Sequence, residues 1–291
     1  MRQRNKSLEG AKAVSAQRDE RPAARRERPS SSLSRTFALL DLFTPQRMVW
    51  SAEAMIDHCG YSRPTGYRYI RELVETGLLV RFGDGFYSLG PRVVELDLLI
   101  RQADPLLSAG LPIIRDIVAR TGVDLNLIRR YDERIVTIHQ ESGGDRLLIS
   151  FGRGRQLPLL RGAGSKVIVA HLPRGRLKRI YDSDPELAAQ VGYGENWLEF
   201  RNTMSAIRRA GFAMSYGELD DGLAGVAAPI FGIDGVVIGS IVAALTQQRL
   251  ALIQIDKLTD AIKAGATRIS EEVAIISDPA RHIDETQGAE T

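Results

Sequence analysis

The triplet Gly83-Asp84-Gly85 separates two short apolar runs, residues 78–82 and 86–89, and follows directly on two helical segments. Glycines around an aspartate, between strand-forming residues, mark a tight β-hairpin. Upstream, Ser51 is a suitable N-cap for a helix over 52–59, with Gly60 as its stop. Ser62 is placed to cap a second helix over 63–76, which Gly77 ends, and Pro64 falls in its first turn, where a missing N–H costs little. Ala54, Met55 and the turn 56–59 are expected to be buried, which makes Cys59 small core packing. Before them, Phe37, Leu39, Leu40, Leu42 and Phe43 indicate a short helix ended by Thr44-Pro45. Helix, helix, tight turn, helix and hairpin within some 60 residues is the order of a winged helix-turn-helix.

Winding residues 63–74 at about 100° per residue puts Gly66, Tyr69, Ile70, Leu73 and Val74 on one side. Pro64, Tyr67, Arg68, Arg71 and Glu72 face away, with Arg63 and Thr65 at the N-terminal turn. Long donors on an exposed helix face, with a small side chain near its start, suit base edges and phosphates. The expected DNA contacts are therefore Arg63, Thr65, Tyr67, Arg68 and Arg71, with Arg81 on the wing as a phosphate contact. The module over 31–92 carries only seven basic against six acidic residues, so its non-specific affinity should be modest. Basic charge is instead concentrated in residues 1–30, nine Lys/Arg against four acids, in a stretch without hydrophobic periodicity. That tail reads as disordered, either as a nucleic-acid contact or as a solvated extension.

Gly90-Pro91 closes the module. A helix over 92–100 and its continuation over 105–120 have more apolar surface than one helix face needs, which implies packing against another subunit. From Val123 onward the pattern becomes α+β, with strands expected at 125–128, 135–139, 147–150, 212–215, 225–230 and 236–245. Helices are expected at 166–171, 174–181, 197–210 and 250–276, giving an antiparallel sheet flanked by helices. The longest apolar stretch, around 236–245, is about half of the roughly 20 residues a membrane span requires. A lone cysteine and no apolar core near the N-terminus leave a cytoplasmic protein as the expectation. The four histidines, His58, His139, His171 and His282, have no partner at metal-ligand spacing, and no nucleophile elbow or dinucleotide fingerprint follows a strand. Neither an enzyme nor a cofactor or metal site is expected.

Several segments between residues 31 and 276 together carry a resemblance to one family. Ser32-Leu33-Ser34-Arg35-Thr36-Phe37-Ala38-Leu39-Leu40-Asp41-Leu42-Phe43 is similar to the family's opening helix. Thr65-Gly66-Tyr67-Arg68-Tyr69-Ile70-Arg71-Glu72-Leu73 with Gly77-Leu78-Leu79 resembles its recognition helix, and Tyr87-Ser88-Leu89-Gly90 the wing's exit. The most specific match is Ile207-Arg208-Arg209-Ala210-Gly211-Phe212-Ala213, then Gly217-Glu218, Gly222 and Val226-Ala227-Ala228-Pro229-Ile230-Phe231. Together these segments resemble the IclR family of bacterial regulators over residues 31–276, and the resemblance implies a transcriptional regulator with a GAF-like sensor domain for a small effector, frequently an organic acid, and a homodimer or dimer of dimers on a near-palindromic DNA operator. It divides the chain into a basic tail (1–30), a winged helix-turn-helix (31–91), a linker and dimerisation helix (92–108), a GAF-like effector domain (109–277) and a flexible tail (278–291).

The segment 157–166 resembles the family's loop before a sensor-domain helix, with Leu160, Arg161 and Gly162 where members usually carry His, Ala and a small polar residue. A Gly-Ala-Gly-Ser turn entering a helix offers N–H groups and a positive dipole end to a carboxylate, or is simply a tight turn. Arg161, Gly162, Ala163 and Gly164 are thus candidate effector contacts, with Arg146, Arg153 and Arg155 nearby in sequence. By resemblance, Ser215, Gly225, Val242 and Ala244 also line the site; three of the four have no side-chain hydrogen-bonding group, which implies an effector with an apolar portion. Glu218 reads as structural. The rival reading keeps the DNA-binding module but assigns the C-terminal domain only to oligomerisation or protein contacts.

Overall fold

The computed structural model describes residues 31–144, 147 and 149–278. The basic tail (1–30), residues 279–291 of the C-terminal tail, His282 among them, and Arg146 lie outside them. The chain divides into two compact units with the boundary between Leu98 and Leu99.

The first unit opens with α1 (Ser32–Ala38), capped by Ser31 Oγ accepting Ser34 N–H, and a 3-10 turn at Leu40–Leu42. The expected helix thus starts earlier than its apolar residues suggest, and Phe37 lies on its outside, 47% exposed. Strand β1 (Trp50–Ser51) leads into α2 (Ala52–Cys59), where Ser51 Oγ accepts Ala54 N–H and Gly60 ends the helix at φ 66°. Asp57 and His58 are exposed and Cys59 is half-buried, contrary to the expectation of a buried turn. Ala52, Met55 and Ile56 already fill the inward stripe, and the helical repeat turns 57 and 58 outward. Helix α3 (Arg63–Glu75) has no side-chain cap; Ser62 Oγ instead donates to Thr65 Oγ1 at 2.9 Å. Strands β2 (Leu79–Phe82) and β3 (Phe86–Leu89) form the hairpin, and β1 joins β3 to make a three-stranded sheet. The core gathers Leu39, Trp50, Met55, Ile56, Tyr69, Ile70, Leu73 and Leu79, with Trp50 Nε1 donating to Leu42 O at 3.0 Å. Helix α4 (Pro91–Ala103) follows, and none of its residues is buried.

In the second unit, α5 (Pro105–Thr121) is a separate helix because Asp104 caps it, accepting Leu106 N–H at 2.9 Å and pairing with Arg129. The sheet comprises β4 (Asp124–Tyr131), β5 (Arg134–Glu141), β6 (Gln156–Leu157), β7 (Ala213–Tyr216), β8 (Leu223–Phe231) and β9 (Val237–Thr246). It is antiparallel throughout in the order β6-β5-β4-β9-β8-β7. Helices α6 (Ala163–Ala170), α7 (Arg174–Ser183), α8 (Pro185–Gln190) and α9 (Trp197–Ala210) lie between β6 and β7, and α10 (Gln247–Leu252) and α11 (Ile255–Ile276) follow β9. Strand alternation feeds two cores. Leu125, Leu127, Ile241 and Ala243 pack with α5 and α11, whereas Ile128, Ala227 and Val242 pack with α6 and α9. The expected strand over 147–150 is not one among the described residues: Ser150 lies in a turn, and its N–H donates to Asp220 Oδ2 at 2.9 Å. The expected helix over 250–276 is two helices, broken where Ile253 turns extended.

Candidate nucleic-acid interface and ligand cavity

Helix α3 buries Gly66, Tyr69, Ile70 and Leu73 and exposes Arg63, Pro64, Tyr67, Arg68, Arg71 and Glu72. Gly66 is where α2 crosses: a Cβ there would lie 2.3 Å from Ile56 Cγ1. This close crossing holds α3 against the core while its other face stays in solvent. Between α3 and the wing runs an open groove lined by Tyr67, Arg68, Arg71 and Arg81, with Pro64, Ile70, Val74 and Tyr87. Four of the six expected DNA contacts thus share one groove. Arg63 and Thr65 lie at the helix start, outside its lining, with Thr65 half-buried.

Tyr67 is not presented alone. Its hydroxyl donates to Glu53 Oε1 of α2 at 2.5 Å, which holds the Glu53 carboxyl below its usual range and the Tyr67 phenol above its own. Arg71 makes only a long contact with Glu75, 3.8 Å between two well-exposed side chains, and so keeps its reach. Arg68 extends beside the Tyr69 ring, 5.2 Å from its centroid. No local pattern signals the Glu53 contact, which spans 14 positions between two helices. The wing's outer side carries Phe82 directly opposite Phe86, rings 6.5 Å apart and both nearly half exposed. On α4, Val94, Leu98, Leu99 and Ile100 are 54–71% exposed.

In the second unit a cavity of about 70 Å³ lies between the sheet, the start of α6 and the segment joining β7 to β8. That is several times the roughly 10–15 Å³ needed by one water. Ala163, Gly164, Ser215, Gly225, Val242 and Ala244 line it, six of the eight residues expected there. Arg161 and Gly162 are not in the lining. Gly162 N–H donates to Glu218 Oε2 at 2.9 Å, and the other Glu218 oxygen takes the ammonium of Lys166, which also donates to Met214 O at 3.0 Å. The first intrahelical bond is Lys166 N–H to Gly162 O, so the N–H groups of Ala163, Gly164 and Ser165 precede the helical ladder. Close approach favours glycine at 164, where a Cβ would meet Ile128 Cδ1 at 2.5 Å and Val242 Cγ2 at 2.8 Å; at 225 it would lie 2.9 Å from the rotatable Ser215 Oγ.

Sequence reasoning missed Asn126, Thr137, Phe151 and Leu219 in the lining. Their distance along the chain from the Gly-Ala-Gly-Ser turn hides them; only strand alternation from Ile128 points to Asn126. A second cleft, lined by Arg130, Arg176 and Arg179, has its cations engaged: Arg176 donates to Asp132 Oδ1 at 2.5 Å and Arg130 Nε to Val237 O at 2.9 Å. Among the described residues no three His, Cys, Asp or Glu are grouped to hold a metal, and no helix is long and apolar enough to cross a membrane.

A winged helix-turn-helix with an arginine-lined groove, followed by an α+β unit enclosing a small cavity, defines a DNA-binding transcriptional regulator with an effector domain. Residues 101–271 match the model of the bacterial transcriptional regulator IclR C-terminal domain, and residues 32–82 match the IclR helix-turn-helix domain. The chain belongs to the IclR family, whose members are transcriptional regulators and not enzymes. It is 23% identical to the HTH-type transcriptional regulator KipR of Bacillus subtilis, over 84% of this chain and 97% of that one. Among solved structures, an IclR regulator from Alicyclobacillus acidocaldarius is similar with a TM-score of 0.71 and 21% identity, over 83% of this chain and 98% of that one. An IclR homolog from Microbacterium hydrocarbonoxydans, complexed with 4-hydroxybenzoate, is similar with a TM-score of 0.67 and 20% identity, covering 84% and 99% of the two chains.

Proposed function

We propose that this chain is a sequence-specific regulator in which two copies of α3 enter successive major grooves of a near-palindromic operator, under control of a small molecule bound in the second unit. The groove shared by Tyr67, Arg68, Arg71 and Arg81 carries the DNA half of this reading. From it, Arg68 and Arg71 reach base edges and phosphates and Arg81 holds a phosphate from the wing, while Arg63 and Thr65, outside the groove, meet the backbone at the helix start. The exposed apolar residues of α4 support a homodimer built on the linker over 92–108, alone or paired as a dimer of dimers.

The effector is an organic acid with an apolar portion. The side-chain walls of the cavity are mostly aliphatic or aromatic, including Ile128, Leu157, Phe151 and Val242. The carboxylate turns to the N–H groups at the start of α6, beside the lining residues Ala163 and Gly164. Gly162 serves this end from behind, its own N–H being held by Glu218. The complex of the related regulator with 4-hydroxybenzoate supports an acid with a ring. Binding shifts the population between dimers that do and do not match the half-site spacing.

The test is to retain genomic fragments on the full-length protein and compete them with organic acids already selected by thermal shift. At a hundredfold excess over Kd, an acid that binds only the native state adds about 2.7 kcal/mol of stability. At least one such acid should change DNA affinity; if every stabilising acid leaves it unaltered, effector control is wrong.

A further inference from the structure

Asn126 sits in the middle of the six-stranded sheet, on β4, directly opposite Val242 of β9 and Gln140 of β5. Asparagine is among the residues depleted from strands, since its side chain competes for backbone hydrogen bonds and packs poorly on a pleated surface. It lines the cavity, is only 6% exposed, and its Oδ1 has no hydrogen-bond partner. A buried carbonyl oxygen without a donor destabilises the fold that contains it, so such a group calls for an explanation in what it binds.

Three of the four other polar side chains of the lining have work within the chain, and the fourth, Ser215, carries a hydroxyl that can donate as well as accept. Thr137 Oγ1 donates to Phe151 O at 2.9 Å, Asp220 accepts Ser150 N–H, and Glu218 holds Gly162 and Lys166. Asp124, two residues earlier on the same strand, also has an unpartnered oxygen, but its Oδ1 accepts Gly143 N–H at 2.6 Å and so fixes the chain beyond β5. Asn126 Oδ1 serves no such purpose.

We propose that Asn126 is the specificity-determining side chain of this cavity, accepting a hydrogen bond from an O–H or N–H group carried on the apolar body of the effector. The proposal rests on the cavity being the effector site and adds a requirement on its ligand: a hydrogen-bond donor remote from the carboxylate. A ligand lacking that donor leaves Oδ1 unpaired and gains nothing from it, the arrangement by which buried polar groups discriminate most strongly. Asn126 is absent from the contacts expected from sequence.

Two measurements on the full-length protein test this. Without ligand, Asn126→Leu replaces an unpaired amide by an apolar group of similar size and should raise the melting temperature of the second unit by roughly 2–4 °C. A fall of several degrees would show that the fold needs the amide and would overturn the proposal. The second measurement is thermal shift with two probe pairs, 4-hydroxybenzoate against 4-methoxybenzoate and benzyl alcohol against its methyl ether. The hydroxyl member of at least one pair should stabilise the wild-type protein, its ether should not, and Asn126→Leu should abolish the shift. Equal shifts from hydroxyl and ether, or a shift retained in Asn126→Leu but lost in the cavity-filling Ala244→Leu, overturn the role of Asn126 and leave the cavity standing. A shift that survives Ala244→Leu, or no shift from any probe, overturns the cavity reading and the proposal with it.

Discussion

Replacing Gly66 by alanine should destabilise the DNA-binding unit, although the same change on an open helix face would stabilise it. In a helix interior, Gly→Ala ordinarily gains about 0.5–1 kcal/mol. Here the new Cβ would lie 2.3 Å from Ile56 Cγ1, 2.8 Å from its Cδ1 and 3.2 Å from its Cβ. Ile56 is 1% exposed and β-branched on a helix, so it has essentially one rotamer and no room to turn aside. Overpacking of this kind costs about 1–3 kcal/mol, and with Ile56 held in one rotamer the upper end applies, which leaves a net loss of about 2 kcal/mol. For a unit of this size each kcal/mol is worth roughly 4–8 °C in melting temperature. The chain has two tryptophans, and Trp50 is buried in this unit while Trp197 starts α9. Urea unfolding followed by fluorescence in a Trp197→Phe background therefore reports on the α2–α3 crossing. Ile56→Ala should also cost less in the Gly66→Ala protein than in wild type, by about 1 kcal/mol or more of coupling. A Gly66→Ala protein more stable than wild type would refute the close-crossing argument.

Glu218→Gln should destabilise the second unit by about 3–5 kcal/mol, because Lys166, with its side chain only 10% exposed, loses its counter-charge; Lys166→Met in the same background should recover part of the loss, and full stability of the single variant would contradict this. Burial holds the His171 imidazole below its usual range, so the folded state binds fewer protons than the unfolded one just below pH 6.5, and stability should fall as pH drops through that region. His171→Gln should flatten this fall in a thermal-melt series from pH 7.5 to 5.5; an unchanged slope would exclude His171 as its source. Tyr67→Phe should raise the pKa of Glu53 toward the usual carboxylate range by removing the hydroxyl that leads its depression, which carboxyl-carbon NMR can follow; an unmoved titration would mean that the contact is not made in solution.

Much of the first unit was legible because one periodicity governs it. The apolar stripe Gly66, Tyr69, Ile70 and Leu73 identifies the buried face of α3, and hence the arginine face, without knowledge of anything distant. The Glu53–Tyr67 contact was not legible, since it depends on how two helices cross. In the second unit, alternation located most of the strands but misread the apolar run near Ile149. There Ile149 and Phe151 line the cavity instead of pairing in the sheet, and burial in a cavity wall leaves the same hydrophobic signature as burial in a strand. The turn Gly162-Ala163-Gly164-Ser165 suggested an effector carboxylate, whereas the carboxylate that holds Gly162 N–H belongs to Glu218, 56 residues away. Asn126 was invisible for a further reason: a polar residue within an apolar strand looks like an ordinary outward position until the sheet has both faces covered.

The measurement that bears most directly on the account is selection of bound duplexes from a random DNA library by the purified full-length protein at near-physiological salt. An inverted repeat should be enriched by the wild-type protein and lost with Arg68→Ala, a change worth roughly 1–3 kcal/mol if Arg68 reads a base. Recovery of no motif, with binding that disappears as salt rises, would contradict sequence-specific recognition by the α3 groove.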